Sequence, residues 1–161
     1  MARAWVFGDN VSTDYIIPGR FNITIDPDEL RKHAFKYVRP EFAGEVAVND
    51  VVIGGRNFGC GSSREHAAIV LKACGVWVVA ESFGWIFKRN CVNTGVLPLE
   101  PVDVLNVEDG SSVALDVTQY LLTDVSRGKT YRLKPPPRFV REVYAAGGLI
   151  AYLNSGKPYP F

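Results

Sequence analysis

Apolar residues in this chain come in short bursts, separated by glycine, proline and polar loops, and their period changes along the sequence. Residues 2–8 (ARAWVFG) read as a strand. A polar loop follows over 9–19, carrying an apolar patch, Tyr15-Ile16-Ile17, that Pro18-Gly19 stops. Asp26-Pro27-Asp28-Glu29 marks a helix start. Asp26 can cap, Pro27 suits the first helical position and Glu29 has capping-box spacing, which predicts a helix reaching about Tyr37. Residues 51–53 form a fully apolar strand ending at Gly54-Gly55. Ser62 and Glu65 again have capping-box spacing. Beyond them Ala67, Val70, Leu71 and Cys74 recur at helical intervals, predicting a helix that Gly75 closes. A strand over 77–80, a helix over 82–93 closed by Gly95 and a strand over 96–99 complete the first half.

This β-α-β-α-β alternation predicts a central sheet with helices on its faces. After Pro101 the texture changes. Short strands are expected over 113–116, 120–125 and 130–133, with Arg127-Gly128 turning between the last two. Pro135-Pro136-Pro137 breaks the chain before a helical stretch from Phe139, which Gly147-Gly148 interrupts ahead of 149–153. There is no repeat and no low-complexity tract. The expectation is one domain over 1–161, an α/β core with mixed β elements.

Composition narrows the function. The 161 residues suffice for a real core. A formal net charge of +1, with the basic residues scattered, gives no field to recruit nucleic acid or an anionic membrane. No apolar run approaches the ~18 residues of a membrane helix, and the N-terminus lacks a signal-peptide core, so the cytoplasm is the expected compartment. Cys60, Cys74 and Cys91 match no CxxC motif, and His33 and His66 are the only histidines. No metal or iron–sulfur site is expected on this chain.

The chemistry concentrates in residues 54–66. Gly54, Gly55, Gly59 and Gly61 let backbone approach a ligand, and the segment leads from a strand to a helix start, where free N–H groups favour an anion. It is not a P-loop, because Cys60 stands where lysine is needed. Nor is it a dinucleotide fingerprint, because Arg64 occupies the third glycine position. Ser62, Ser63 and Arg64 remain: two hydroxyls that can bind or move protons, and a guanidinium that can clamp a carboxylate with two parallel hydrogen bonds. Read blandly, Ser62 caps a helix and Arg64 faces solvent. The convergence of four glycines, two serines and an arginine argues for more.

The run Gly59-Cys60-Gly61-Ser62-Ser63-Arg64-Glu65-His66-Ala67 resembles the signature of the mobile, swivelling domain of aconitase-type hydro-lyases. Gly8-Asp9-Asn10-Val11-Ser12-Thr13-Asp14 is similar to that domain's N-terminal loop, residues 82–90 (SFGWIFKRN) to its later helix, and Ala146-Gly147-Gly148-Leu149 to its tail. At Gly84-Trp85 the family more often has alanine and arginine. The resemblance implies a swivelling β/β/α domain with a mixed sheet and flanking helices. It implies a separate small subunit that closes over a large subunit, as a heterodimer or heterotetramer, with a four-iron four-sulfur cluster in the large subunit and none here. The implied reaction is dehydration and rehydration of a hydroxy diacid, with Ser62 as the base, Ser63 and Arg64 on substrate carboxylate, and Thr13 and Asp14 lining the site. In the specificity loop Ile23 falls on the discriminating position, where an aliphatic side chain suits an isopropyl group and an arginine marks the triacid enzymes. The expectation is therefore an isopropylmalate isomerase of leucine synthesis. Homoaconitase and dimethylmalate-type dehydratases are the alternatives, and a non-catalytic carboxylate-binding module is the reading from another class. His66 and Cys60 are expected to serve packing.

Overall fold

Ala4 and Trp5, neighbours in Ala2–Val6 (β1), are both fully buried and point to opposite faces, so the sheet they belong to is covered on both sides. The computed structural model describes residues 1–158; residues 159–161, at the end of the expected domain, lie outside it. β1 pairs in parallel with Val51–Gly54 (β2), β2 with Trp77–Ala80 (β3), and β3 with Pro98–Leu99 (β4). On its other side β1 runs antiparallel to Ser112–Asp116 (β5), followed by Leu121–Asp124 (β6) and Lys129–Arg132 (β7). The described residues thus form a mixed sheet of order β4-β3-β2-β1-β5-β6-β7.

The period-two alternation sorts the strands into two cores. Trp5, Val52, Val78 and Ala80 face Leu30, Phe35, Phe42, Leu71, Phe87 and Cys91 of the helical layer. Ala4, Val51, Ile53 and Val79 face Val113, Leu122 and Tyr131, because the β5–β7 arm curls across that side. Asp50 fastens the junction. It is buried, and its carboxylate accepts from Arg3 N (2.8 Å), Trp5 Nε1 (2.9 Å) and Ala47 N (3.0 Å).

The helices are Thr13–Ile16 (α1), Pro27–Arg31 (α2), Phe42–Glu45 (α3), His66–Cys74 (α4), Trp85–Thr94 (α5), Arg138–Ala145 (α6) and Leu149–Asn154 (α7). The expected α/β core and the later strands are all present. Two expectations fail locally. The Tyr15-Ile16-Ile17 patch is not loop throughout: α1 is a single turn whose cap, Ser12, accepts from Tyr15 N (3.2 Å) and which buries Ile16. The helix begun at Asp26 stops at Arg31 and gives way to turns. Phe35 sits there at φ 52°, donates its N–H to Ile16 O (2.8 Å), and stacks on Phe7 while meeting Phe42 edge-on. Tertiary packing of one aromatic ring overrides a helix propensity worth only tenths of a kcal/mol per residue. No helix among the described residues is long and apolar enough to cross a membrane.

Candidate active site

Three connections leave the same end of the parallel strands: 7–12 after β1, 55–65 after β2 and 81–84 after β3. In open parallel sheets this carboxyl end is where ligands bind. Main-chain bonds sew the connections together. Gly59 N donates to Val11 O (2.7 Å), Thr13 N to Cys60 O (2.8 Å), Phe58 N to Ser82 O (2.9 Å) and Gly84 N to Phe58 O (2.8 Å). At the rim, Arg56 donates its backbone N–H (2.7 Å) and its guanidinium (2.9 Å) to Asp9, holding that carboxyl below the usual range.

The glycine loop needs its glycines for space. Gly59 has φ 77°, and a Cβ there would lie 2.1 Å from Cγ of the buried Phe87. The loop therefore lies flat against α5, and Thr13 fixes its exit. Thr13 is buried, and its Oγ1 accepts the N–H of Ser62 at 3.0 Å. Of the residues expected to line the site, Thr13 thus lies beneath the loop rather than on its open face.

Ser62 is half-buried, whereas Ser63 and Arg64 are exposed. Ser62 does not cap α4. That helix begins at His66, Glu65 is its N-cap, and no side-chain cap bond forms. The capping-box spacing read from the sequence does not describe this serine. Its Oγ instead accepts two bonds from Arg64, one from the main-chain N–H (3.2 Å) and one from Nε (2.8 Å). Two donors, one of them charged, favour the ionised oxygen. The end of the same guanidinium faces Asp14, 3.6 Å away. From below, the buried Asn90 of α5 donates Nδ2 to Ser63 O (3.0 Å). Asn90 and the positioning role of Thr13 escaped the sequence reading. Asn90 carries a weak signal: an amide among the inward positions of an otherwise apolar helix face.

The connection 19–25 borders this cluster. A Cβ at Gly19 would lie 3.2 Å from the Arg64 guanidinium and 3.3 Å from the Asp14 carboxylate. Further along, Ile23 is 91% exposed and Ile25 is 74% exposed. On the opposite flank a cavity of about 220 Å³ is lined by Cys60, Gly61, Ser62, Trp85 and Phe87, and Trp85 is itself largely exposed. Among the described residues no three His, Cys, Asp or Glu side chains converge as a metal site. Cys74 and Cys91 are buried free thiols. Burial raises Cys74 to about 11 and raises Cys91 as well.

The curled mixed sheet with flanking helices fits the aconitase C-terminal domain, and that family matches residues 44–103, which include the glycine–serine–arginine loop. The chain is 49% identical to a 3-isopropylmalate dehydratase small subunit of Methanosarcina mazei over 93% of each chain. It is 44% identical to small subunit 1 of Archaeoglobus fulgidus, over 96% of this chain and 97% of that one. The crystal structure of 3-isopropylmalate dehydratase (LeuD) from Methanocaldococcus jannaschii superposes with a TM-score of 0.91 at 41% identity, covering 96% of this chain and 93% of the other. The chain belongs to the family of 3-isopropylmalate dehydratase small subunits, hydro-lyase subunits of the aconitase superfamily.

Proposed function

We propose that this chain, as one domain docked on a large subunit, isomerises 2- and 3-isopropylmalate by dehydration and rehydration, with Ser62 as the base. The observation that carries the reading is the pair of hydrogen bonds from Arg64 to Ser62 Oγ. A serine in water is a poor base; one whose oxygen accepts a main-chain N–H and a guanidinium N–H is better able to hold negative charge. Ionised Ser62 Oγ takes the proton from the carbon beside a substrate carboxylate. The C–H electron pair becomes the new C=C bond, and the hydroxyl departs from the neighbouring carbon. Rehydration returns hydrogen and hydroxyl to exchanged carbons.

Arg64 and Ser63, both exposed, meet the substrate carboxylate. Asp14 acts through Arg64, because a second carboxylate would repel a diacid. Ile23 receives the isopropyl group, a contact worth about 2 kcal/mol of apolar burial. Among the described residues no three potential ligand side chains converge on this chain. In this reading a four-iron four-sulfur cluster belongs to the large subunit and supplies Lewis-acid chemistry for the leaving hydroxyl. The pair works as a heterodimer or heterotetramer, and the cytoplasm is the compartment the reading implies.

The test is anaerobic reconstitution with the large subunit, offering 3-isopropylmalate and homoaconitate side by side. Isopropylmalate should turn over. Ser62→Ala should lower kcat by about 10²–10⁴-fold, the contribution of a general base, while co-elution with the large subunit persists. Near-normal turnover in Ser62→Ala would remove it as the base. Turnover of homoaconitate in place of isopropylmalate would overturn the substrate assignment.

A further inference from the structure

The connection that carries Ile23 contains a cation, Arg20, that could meet a third substrate carboxylate. Its neighbour Gly19 lies against Arg64 and Asp14, so Arg20 starts at the edge of the site. Yet its guanidinium carbon lies 4.8 Å from the centroid of the Phe21 ring and 4.9 Å from that of Tyr37, inside cation–π range of both. Among the described residues Arg20 has no ion pair and no hydrogen bond from its side chain. The two rings are its partners.

Phe21 is itself held. Its ring stacks on the imidazole of His33 with centroids 3.8 Å apart and planes 6° apart, and Lys36 Nζ lies 5.0 Å from its centroid. Residues 33–37 belong to the turns that replace the expected helix, and the left-handed Phe35 anchors those turns in the core. The chain of contacts therefore runs from the core through His33 and Tyr37 to Phe21 and Arg20, and so to the turn that presents Ile23.

We propose that Tyr37, Phe21 and His33 form an aromatic clamp that parks Arg20 away from the substrate, so that the isopropyl side chain meets Ile23 alone and a carboxylate in its place is left unpaired. This deepens the isopropylmalate reading and rests on it. Tyr37, Phe21 and His33 are positioning residues that act through Arg20 and the turn. A buried carboxylate without a cation is strongly disfavoured, so freeing the arginine changes which substrate is accepted rather than the rate of the chemical step.

Tyr37 is more than half exposed, which lets its ring be removed without opening the core. In the reconstituted enzyme, Tyr37→Ala should raise kcat/KM for homoaconitate relative to 3-isopropylmalate by up to about fivefold, the most an exposed ion pair supplies. The change should appear in KM for homoaconitate, with kcat for isopropylmalate held. Tyr37→Phe, which keeps the ring, should restore the wild-type ratio, and adding Arg20→Gln to Tyr37→Ala should abolish the gain. An unmoved ratio in Tyr37→Ala, or a gain that survives Arg20→Gln, overturns the clamp while the isopropylmalate reading stands on wild-type turnover. A wild-type complex that turns over neither substrate overturns that reading, and the specificity claim with it. The clamp is also open to a measurement without enzyme activity. In the small subunit alone, Arg20 Hδ resonances should be shifted upfield by the two rings and move downfield in Tyr37→Ala. Arg20 resonances at unperturbed positions in the wild type overturn it.

Discussion

Thr13→Val replaces a buried hydroxyl by a methyl of nearly the same shape and isolates one contact, the acceptance of Ser62 N–H by Thr13 Oγ1 at 3.0 Å. Two effects follow. The Ser62 N–H loses its partner, which costs about 1–3 kcal/mol for a buried donor and falls at the low end here because Ser62 is half-buried. The methyl also cannot sit where the oxygen sat. Carbon contacts are most favourable near 3.5–4.0 Å, so Ser62 moves outward by roughly half an ångström. At about 2–4 °C per kcal/mol for a domain of this size, the melting temperature of the small subunit should fall by roughly 2–4 °C. Catalysis should suffer more than stability. A base displaced from the proton it abstracts loses rate steeply, with 1 Å worth about 10²-fold. The expectation is therefore a kcat reduced by about tenfold in the reconstituted enzyme. Thr13→Ser, which restores the acceptor, should recover most of it. Wild-type kcat in Thr13→Val, at full assembly with the large subunit, would refute the claim that Thr13 positions Ser62.

Gly59→Ala should destabilise the chain by about 2–5 kcal/mol, combining the left-handed penalty with overpacking against Phe87, whereas Gly61→Ala, whose Cβ meets nothing closer than 3.6 Å, should lose only the backbone part. Equal losses in thermal melts of the two variants would show that the loop does not press on α5. His33 titrates below its ordinary value, through burial first and the positive charge of Lys36 second. The fold thus favours neutral imidazole. Its stabilisation is present above the unfolded value of about 6.5 and is lost as pH falls through the folded value. Melting temperature should decline from about pH 6.5 toward 5, and His33→Phe, which keeps a ring against Phe21, should flatten that decline; parallel pH profiles would count against it.

Much of the architecture was legible because strand identity here rests on burial. Residues 51–53 and 77–80 are apolar on both faces, and only a sheet covered on both sides wants such runs. The glycine loop was legible for a similar reason: four glycines in eight residues disfavour both helix and strand, so the chain beyond Gly54, the last residue of β2, had to be a loop serving something else. What failed was local capping logic. Ser62 and Glu65 have the spacing of a capping box, but Ser62 N–H is already taken by Thr13, 49 positions earlier in the chain, and its Oγ is taken by Arg64. A cap is a contest between local and distant partners, and a sequence window shows only the local one. Asn90 illustrates the same limit. Its amide reads as a polar interruption of a helix until the loop 27 residues away supplies the carbonyl it serves.

The distribution of burial across the site argues for a particular division of labour. Thr13, Gly59, Phe87 and Asn90 are buried or packed against buried groups, and they hold the main chain of residues 59–63 from beneath. Ser63, Arg64 and Ile23, which the functional reading turns toward substrate, are open to solvent. A guanidinium that stays in water binds a carboxylate weakly, because an exposed ion pair is worth at most about 1 kcal/mol. The same pair becomes strong and selective once water is excluded. This chain therefore supplies a rigid floor and an unfinished upper surface. Under the proposed function, the affinity of this chain alone for a malate-type diacid should stay at the exposed limit, and tight recognition should appear only when a large subunit covers Arg64.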